Sequence, residues 1–450
     1  MTQTGNFTEG PILSPLLRFT LPVLLALFLQ TMYGAVDLMV VGRFGQPADV
    51  SAVSTGSQVM MSVTALIAGL SMGATILLGQ KLGEGKVEEG GRAAGSAIAL
   101  FAAVAAVLTA VMVLSATPLS QLMQAPAEAF GQTAAYVRIC SAGAAFIVAY
   151  NALGAMFRGI GDSKTPLLTV FIACVVNITG DLLLAGWLGL GAAGAALATI
   201  LAQAVSVALS LLFIARRGLP FPFTLKDIRF DPHYTRRILR LGAPAALQDV
   251  LVSISFLAIA AIVNGLGVIA SAGVGVAEKL CGFIMLVPSA YMQSLSAFVA
   301  QNVGAGRQDR ARRSLLYGIG TSLCCGVVLA WLAFFHGNLL AGLFARDAQV
   351  IAAAADYLRA YAIDTLLTSI MFCFAGYFNG RGNTAFVMVQ GIVGAFLVRI
   401  PVSLLMSRQE PVSLFKVGLA TPCSTMAQIL IFLCGFALIS ARERNASDAS

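Results

Sequence analysis

The sequence predicts an all-α polytopic membrane protein with twelve transmembrane helices in two six-helix bundles. Of its 450 residues, 58% are hydrophobic and 11% are charged, and the mean hydropathy is +0.87. A soluble domain averages about 25% charged residues. Several segments without Asp, Glu, Lys or Arg exceed the roughly 20 residues that cross about 30 Å of hydrocarbon as a helix. These segments are residues 51–80, 93–127, 182–215, 250–277 and 314–345.

Hydropathy places twelve helical spans along the chain. The predicted spans are residues 16–41, 53–78, 93–117, 134–157, 165–189, 192–215, 238–265, 269–300, 314–336, 351–378, 384–407 and 413–440.

The charges of the connections predict the orientation of these spans. Most Lys and Arg residues lie in every second connection, whereas the other connections hold little beyond Arg43, Arg346, Arg408 and Lys416. Connections rich in Lys and Arg remain cytoplasmic. The sequence therefore predicts a multi-pass protein of the cell inner (plasma) membrane with both termini cytoplasmic.

A long polar connection divides the chain near its midpoint. Residues 216–237 read RRGLPFPFTLKDIRFDPHYTRR, with three prolines and a cluster of bases. We predict an N-terminal six-helix bundle over residues 1–215, a cytoplasmic linker over 216–237 and a C-terminal six-helix bundle over 238–450.

The two halves repeat each other at an offset of 221 or 222 residues. Because each half holds six spans, both copies insert with the same orientation. We therefore expect a pseudo-two-fold axis along the membrane normal and two bundles facing a central cleft, as in parallel-repeat transporters. The matched segments are LLRFTLP (16–22) with ILRLGAP (238–244), LGQKLGEGK (78–86) with VAQNVGAGR (299–307), and LGAMFRGIGDSKT (153–165) with FAGYFNGRGNTAF (374–386).

Two aspartates in the first half lie inside apolar spans. Asp37 and Asp181 each need a partner, a cation, a proton or water, because a charge at mid-membrane costs at least about 2.5 kcal/mol. Asn177 shares a helix face with Asp181 at i,i+4. A hairpin centred near Leu190 brings Thr199 to the depth of Asp181 and Gln203 to that of Asn177.

This oxygen-rich set leaves several roles open. Such donors suit a hard cation, a buried carboxylate also holds a proton, and a structural polar contact between helices is a third interpretation. In the second repeat, Ile259 and Val402 stand where the first has Asp37 and Asp181. That asymmetry favours a functional role for the acids and indicates the ion-handling centre of a secondary transporter.

The second half carries its own intramembrane charges. Asp364 and Arg399 are expected at similar depths on adjacent spans. They form either a neutralising ion pair or a site for substrate sensing or a second coupling event. Glu278 and Lys279 lie near a span end, and Asp249 has no assigned role.

Other classes of protein find little support in the sequence. The net charge of +8 is not a nucleic-acid signal, because Lys and Arg lie in short connections without interleaved aromatic residues. The eight Cys form no CxxC pair, so neither a structural metal nor a disulfide framework is expected. No GxxxxGK[ST] loop is present, and no cofactor is expected beyond the coupling ion. The GIGD motif at 159–162 is typical of intramembrane aspartyl proteases, but its place at a span end favours a helix-ending turn, and the chain is not expected to be an enzyme.

Several motifs together resemble the multidrug and toxic compound extrusion (MATE) transporters over nearly the whole chain. They are LQTMYGAVDLMVVGRFG, LGQKLGEGK, FRGIGDSKTP, NITGDLLL, GAAGAALAT, VAQNVGAGR and FNGRGNT. The resemblance implies antiport, in which a cationic or amphipathic compound leaves while Na⁺ or H⁺ enters.

The resemblance also implies roles for individual residues. Its N-lobe cation or proton site, which would bind metal only if Na⁺ is the coupling ion, corresponds to Asp37, Asn177, Asp181 and Thr199. The neighbouring cavity would be lined by Gln30, Tyr33 and Asn151. Asp364 resembles the C-lobe acid of one branch, with Tyr361 three residues before it, but the matching span-seven region reads VLVSIS (250–255) and lacks that branch's acid.

The sequence therefore predicts an antiporter that exports organic cations and amphipathic drugs in exchange for Na⁺ or H⁺. We expect a monomer in the lipid bilayer with small-molecule partners and no nucleic acid. The alternative is a flippase of lipid-linked precursors with a similar two-bundle design. A pyrophosphate cargo would need a strongly cationic cavity, and Arg399 and Lys279 are the main candidates in the sequence. A channel-like or structural membrane protein is disfavoured by the repeat with its asymmetric acids.

Overall fold

The protein is all-α over residues 7–448, the part of the chain that the computed structural model describes. Within those residues, eleven helices are long and apolar enough to cross a membrane, and a bent pair provides a twelfth span. The prediction of an all-α polytopic protein with twelve spans is confirmed. The spans are α1 Leu13–Phe44, α2 Pro47–Gly83, α3 Val87–Leu122, α4 Phe130–Ala142 with Ala144–Gly159, α5 Lys164–Trp187, α6 Gly191–Arg217, α7 Pro232–Asn264, α8 Val268–Gly304, α9 Gln308–Phe335, α10 Ala348–Gly380, α11 Thr384–Ser407 and α12 Leu414–Ala441.

Helix α4 bends by 52° at Gly143. A Cβ atom at Gly143 would lie 2.3 Å from Cδ1 of Ile200 on α6, so only glycine allows this approach. Just before the bend, the Ser141 hydroxyl donates to the Val137 carbonyl at 2.5 Å, a bond that often accompanies helix bending. The bend therefore lies where α4 packs closely on α6.

Two compact units divide the chain. The first comprises the chain up to Ala246 together with Ala300–Gln308, and the second comprises Leu247–Val299 and the chain from Asp309 onward. The first unit has a core of aliphatic and aromatic side chains from α2, α3, α4 and α6. In the second unit, Tyr357 and Tyr361 of α10 stack at 6.5 Å in a core that includes α8 residues. The division into residues 1–215, 216–237 and 238–450 stays a prediction, as does the axis relating the bundles.

The internal repeat extends to the backbone of two helix-ending turns. Gly85 and Gly306 have φ of +68° and +72°, and Gly161 and Gly382 have +81° and +85°. Only glycine adopts this left-handed conformation without strain. Each turn closes with the 6→1 bond of a Schellman motif. The bonds run from Lys86 N to Lys81 O (3.2 Å), Arg307 N to Asn302 O (2.8 Å), Asp162 N to Phe157 O (2.9 Å) and Asn383 N to Phe378 O (2.9 Å).

The connection between α6 and α7 packs on the first unit. A Cβ atom at Gly91 of α3 would lie 2.1 Å from the Pro222 carbonyl oxygen, and one at Gly95 would lie 2.0 Å from that of Asp227. Phe221 is buried beneath this crossing. The chain crosses α3 directly over its glycines, so residues 221–227 are fixed against the helix.

Candidate functional site

Three helices of the first unit, α1, α5 and α6, bring the predicted site residues together. Asp37 lies on α1, Asn177 and Asp181 on α5, and Thr199 on α6. Small residues allow α5 and α6 to approach closely, since a Cβ atom at Gly180 would lie 2.9 Å from the Ala198 Cβ. This contact lies next to Asp181 on one helix and Thr199 on the other.

The two acids are buried at this junction. Asp37 is 5% exposed, and Asn177 and Asp181 are 0% exposed. The Thr199 hydroxyl donates to Oδ2 of Asp37 at 3.3 Å and also lies 3.0 Å from the Ala195 carbonyl oxygen. The Asp37 carboxyl interacts with the side chains of Asp181 and Asn177 as well. The structure therefore places the four predicted residues around one point.

Several polar atoms of this cluster have no hydrogen-bond partner among the described residues. A buried polar group in a native protein normally has one. The exceptions are Oδ1 of Asp37, both carboxyl oxygens of Asp181 and both polar atoms of the Asn177 side chain. Carboxylate, amide and hydroxyl oxygens are the ligands that a hard cation prefers. The donor set fits Na⁺ or a shared proton, either of which reduces the repulsion between the two carboxyl groups.

The helix geometry changes at Asp181. Residues Asp181–Trp187 form a π-helical stretch, and Leu188 N donates to the Leu183 carbonyl at 2.8 Å. Segments of this kind are rare and frequently lie at functional sites. The wider turn alters the direction of every side chain after Asp181. The spacing of a regular α-helix therefore predicts side-chain depth in α5 only as far as Asp181.

The predicted cavity residues lie on the helices that carry or adjoin the acids. The Gln30 side-chain amide donates to the Tyr150 hydroxyl, whereas Asn151 Nδ2 donates to the Ile147 carbonyl of its own helix at 2.9 Å. Tyr33 interacts with Gln203 of α6 and with Tyr150. Tyr150 therefore interacts with both Gln30 and Tyr33, and Asn151 is the next residue after Tyr150 in the sequence.

Two tyrosines of this region were not singled out by the sequence. Tyr136 is buried and interacts with Asp37 and Asp181, and Tyr150 contacts Gln30. Both lie on α4, on opposite sides of its bend. A tyrosine in an apolar segment gives no charge signal, and the bend that brings α4 to the site has no pattern in hydropathy.

The charged pair of the second unit is not a direct ion pair. Asp364 is fully buried, and the Thr425 hydroxyl donates to its Oδ1 at 2.6 Å. Arg399 is 6% exposed, donates from Nη1 to Ser255 at 3.3 Å and lies over the Phe256 ring at 4.5 Å. The ion pairs between described residues do not include these two groups, although they interact at longer range. Their roles stay open between charge balance and substrate contact.

The acid of the GIGD motif caps a helix. Asp162 Oδ1 accepts from the backbone N–H groups of Lys164 and Thr165 at 3.0 Å each, and its Oδ2 accepts from the Thr165 hydroxyl at 2.6 Å. These are the first residues of α5, whose N–H groups lack partners within the helix. The interpretation of GIGD as a turn, and not a protease motif, agrees with these contacts.

The fold and the buried acid cluster define a polytopic membrane transporter. Residues 22–183 and 244–405 match the MatE family, so both halves of the chain belong to it and the repeat coincides with two copies of the family unit. The chain is a member of the MATE family, as its motifs predicted, and the members of this family are transporters and not enzymes.

Named relatives and solved structures agree with this assignment. A "Probable multidrug resistance protein YoeA" of Bacillus subtilis is 26% identical over 92% of this chain and 91% of its own length. A "FAD transporter" of Shewanella oneidensis is 26% identical over 90% of each chain. The fold matches a structure described as the outward-facing conformation of a multidrug resistance MATE family transporter, with a TM-score of 0.92, 23% identity and coverage of 99% of both chains.

Proposed function

We propose that the protein is a cation-coupled antiporter that exports organic cations and amphipathic drugs in exchange for Na⁺ or H⁺. The observation that carries this proposal is the buried pair of Asp37 and Asp181, with the unpartnered atoms of Asn177 beside it. Relatives named as multidrug resistance and export proteins support the substrate class. The distribution of Lys and Arg supports insertion into the plasma membrane with both termini cytoplasmic.

The two acids explain how an ion gradient would drive export. A cation or proton at the pair cancels repulsion between the carboxyl groups and so stabilises the arrangement of α1, α5 and α6 in which they are close. An ion shifts a conformational equilibrium only by its difference in affinity for the two states. If the substrate binds the state that the ion disfavours, the two ligands compete and each expels the other across the membrane.

Reconstitution with one carboxyl group changed tests this proposal. In proteoliposomes, we expect Asp37→Asn to abolish efflux of an ethidium-like cation driven by a Na⁺ or a pH gradient, each imposed separately. The amide is nearly isosteric, so the fold is retained, but it neither ionises nor exchanges a proton. The matched control is Glu128→Gln, which changes an exposed acid in the connection between α3 and α4. Gradient-driven efflux by Asp37→Asn at the rate of the control would contradict the coupling assignment.

A second candidate substrate class is an amphipathic compound with an anionic group. Arg399 is buried without a direct ion pair among the described residues, and its Nε has no hydrogen-bond partner there. A guanidinium binds carboxylate and phosphate in two-pronged geometry, and one relative is named a FAD transporter. We expect Arg399→Gln to reduce export of a dinucleotide more than export of an ethidium-like cation. If export of the two substrates fell by the same factor, Arg399 would have a structural role and would not recognise an anionic group.

A further inference from the structure

The connection between α6 and α7 exposes three large apolar side chains. Leu225, Ile228 and Phe230 are 82%, 38% and 59% exposed, and we call these three residues the connection face. The same segment buries Phe221 against α3 and Tyr234 at the start of α7. The connection therefore carries both apolar side chains that pack on the protein and apolar side chains that remain exposed.

Basic side chains flank the connection face. Lys226 and Arg229 alternate with its residues, and both are exposed. Arg216, Arg217 and Arg236 are also exposed at the two ends of the connection. These bases take part in none of the ion pairs between described residues. The connection therefore combines exposed apolar side chains with exposed bases next to them in sequence.

The two acids of the connection, Asp227 and Asp231, both have hydrogen-bond partners within the protein. Asp227 accepts from the backbone N–H and the hydroxyl of Thr224 at 2.8 Å each, and these hydrogen bonds hold its pKa below the ordinary value. Asp231 accepts from Arg92 of α3 at 2.8 Å and from the His233 N–H at 3.0 Å. Neither carboxylate forms an ion pair with the exposed bases of the connection among the described residues, although Asp227 interacts with Arg229 at longer range.

The position of the connection along α3 sets its depth. The Asp227 backbone lies against Gly95, which is three residues beyond Arg92 and inside the charge-free segment 93–127. Lys86, at the start of α3, is nine residues away from Gly95, or about 13 Å along the helix at 1.5 Å per residue. The connection thus returns from the aqueous end of α3 to the level at which the apolar segment begins.

We propose that the connection face is a binding site for anionic phospholipid, with Leu225, Ile228 and Phe230 seated at the headgroup boundary and the flanking bases on lipid phosphates. An apolar face that enters the boundary by about 5–10 Å, with Lys and Arg above it, is the arrangement that binds a membrane surface. The packing of Phe221 and the contacts at Gly91 and Gly95 hold the face at this depth. Lipid bound there would fix the cytoplasmic end of α3 to the bilayer.

Fluorescence quenching in lipid nanodiscs tests the site on the full-length protein. We would replace Trp187 and Trp331 by Phe and introduce a single Trp by Phe230→Trp, with Lys86→Trp as the matched control farther from the bilayer. The probe is phosphatidylcholine brominated near the carboxyl end of its acyl chains, alone or mixed with phosphatidylglycerol. We expect strong quenching of the Phe230→Trp protein, greater with the anionic lipid, and weak quenching of the Lys86→Trp protein.

A charge variant separates lipid binding from simple proximity. Adding Lys226→Gln and Arg229→Gln to the Phe230→Trp protein should weaken the preference for phosphatidylglycerol by about fivefold for each base removed, the fold-change that ~1 kcal/mol per base near an anionic surface gives. Equal quenching at positions 230 and 86 would overturn the proposal, as would quenching that ignores the anionic lipid. A Trp emission at position 230 that is blue-shifted but unquenched would assign the face to a second protein copy instead.

Discussion

At the scale of single residues, Thr199 joins the acid of α1 to α6. Its hydroxyl is the donor that the structure places on Asp37, at 3.3 Å, and the Ala195 carbonyl is a second acceptor within reach. A threonine hydroxyl can donate to a carboxylate or offer a lone pair to a cation. Under the proposed function, Thr199 would therefore contribute to binding of either Na⁺ or H⁺.

Replacing this hydroxyl should weaken ion binding without removing it. We expect Thr199→Val to raise the ion concentration for half-maximal exchange about tenfold, because a hydrogen bond to a charged group contributes about 1.5–3 kcal/mol. Valine keeps the shape, and Thr199→Ser keeps the hydroxyl, so the serine variant is the control. The measurement is the rate of efflux in proteoliposomes as the external ion is titrated. If the valine and serine variants needed the same ion concentration for half-maximal efflux, the Thr199 hydroxyl would have no part in ion binding.

Asp162 is an acid whose side-chain hydrogen bonds are all made to the first turn of the next helix. It accepts three hydrogen bonds from the first turn of α5, so Asp162→Ala should cost about 1 kcal/mol at that end. Hydrogen exchange of the amides of Lys164 and Thr165 should then accelerate about fivefold, with gradient-driven efflux retained. Glu128→Ala provides the control for loss of an exposed acid. Unchanged exchange at residues 164 and 165 would show that another group caps α5.

The sequence predicted the two acids of the site and the polar residues near them, but not two of the tyrosines that surround them. Asp37, Asn177 and Asp181 were visible because polar groups in an apolar span require compensation. Tyr136 and Tyr150 were not visible, because aromatic residues are common in spans and their contacts depend on the bend of α4. The hydrogen bond from Thr199 to Asp37 could not be predicted from depth in the membrane alone. Depth shows that two residues lie at the same level, but not that their helices are rotated to face each other.

At the scale of helices, hydropathy predicted every span but not the bend of α4 or the π-helical stretches. Apolar length fixes where a helix crosses the bilayer, so each predicted span coincides with an observed helix, and no predicted end extends more than two residues beyond it. Neither the bend at Gly143 nor the π-helical stretches at Asp181–Trp187 and Val393–Arg399 has a signal in hydropathy. The bend lies at a contact between helices, where Gly143 meets Ile200 of α6. Such contacts join residues distant in sequence, and no local pattern encodes them. The packed connection over α3 escaped prediction for the same reason.

A reciprocal glycine contact within the first unit joins α2 to the segment Ala300–Gln308. A Cβ atom at Gly83 would lie 1.9 Å from the Gln301 carbonyl oxygen, and one at Gly304 would lie 2.1 Å from that of Gln80. These pairs exchange under the repeat offset. The two helix ends therefore cross through matching glycines, and neither backbone can give way to a methyl group without separating from the other.

Alanine at either glycine should destabilise this crossing. Overpacking costs typically 1–3 kcal/mol, so we expect Gly83→Ala and Gly304→Ala each to lower the thermal unfolding midpoint of the detergent-solubilised protein. Gly131→Ala is the matched control, because Gly131 is helical and a Cβ there meets nothing within 4 Å. That variant should unfold at or slightly above the wild-type midpoint, since alanine favours helix. Midpoints for Gly83→Ala equal to that of the control would contradict the close crossing.

At the scale of the whole molecule, the repeat is symmetric in its turns and asymmetric in its acids. Gly85 and Gly306 share a conformation, as do Gly161 and Gly382. Asp37 and Asp364 each accept one threonine hydroxyl and each have one oxygen that is unpartnered among the described residues. The neighbour of Asp37 is a second acid, Asp181, whereas the charge of Asp364 interacts at longer range with Arg399. The two repeats therefore share the backbone of their turns and differ in the charged groups that they bury.

This asymmetry predicts different outcomes for acids in the two units. We expect Asp181→Asn to abolish efflux driven by an ion gradient, and Asp364→Asn to preserve it with a changed concentration dependence on the substrate. Neither carboxyl oxygen of Asp181 has a hydrogen-bond partner among the described residues, so we expect this group to depend on the ion. One oxygen of Asp364 accepts from the Thr425 hydroxyl, and Arg399 balances the charge of Asp364 at longer range. Proteoliposomes loaded with an ethidium-like cation, assayed with and without the gradient, measure both effects. Loss of gradient dependence in Asp364→Asn would place coupling in both units.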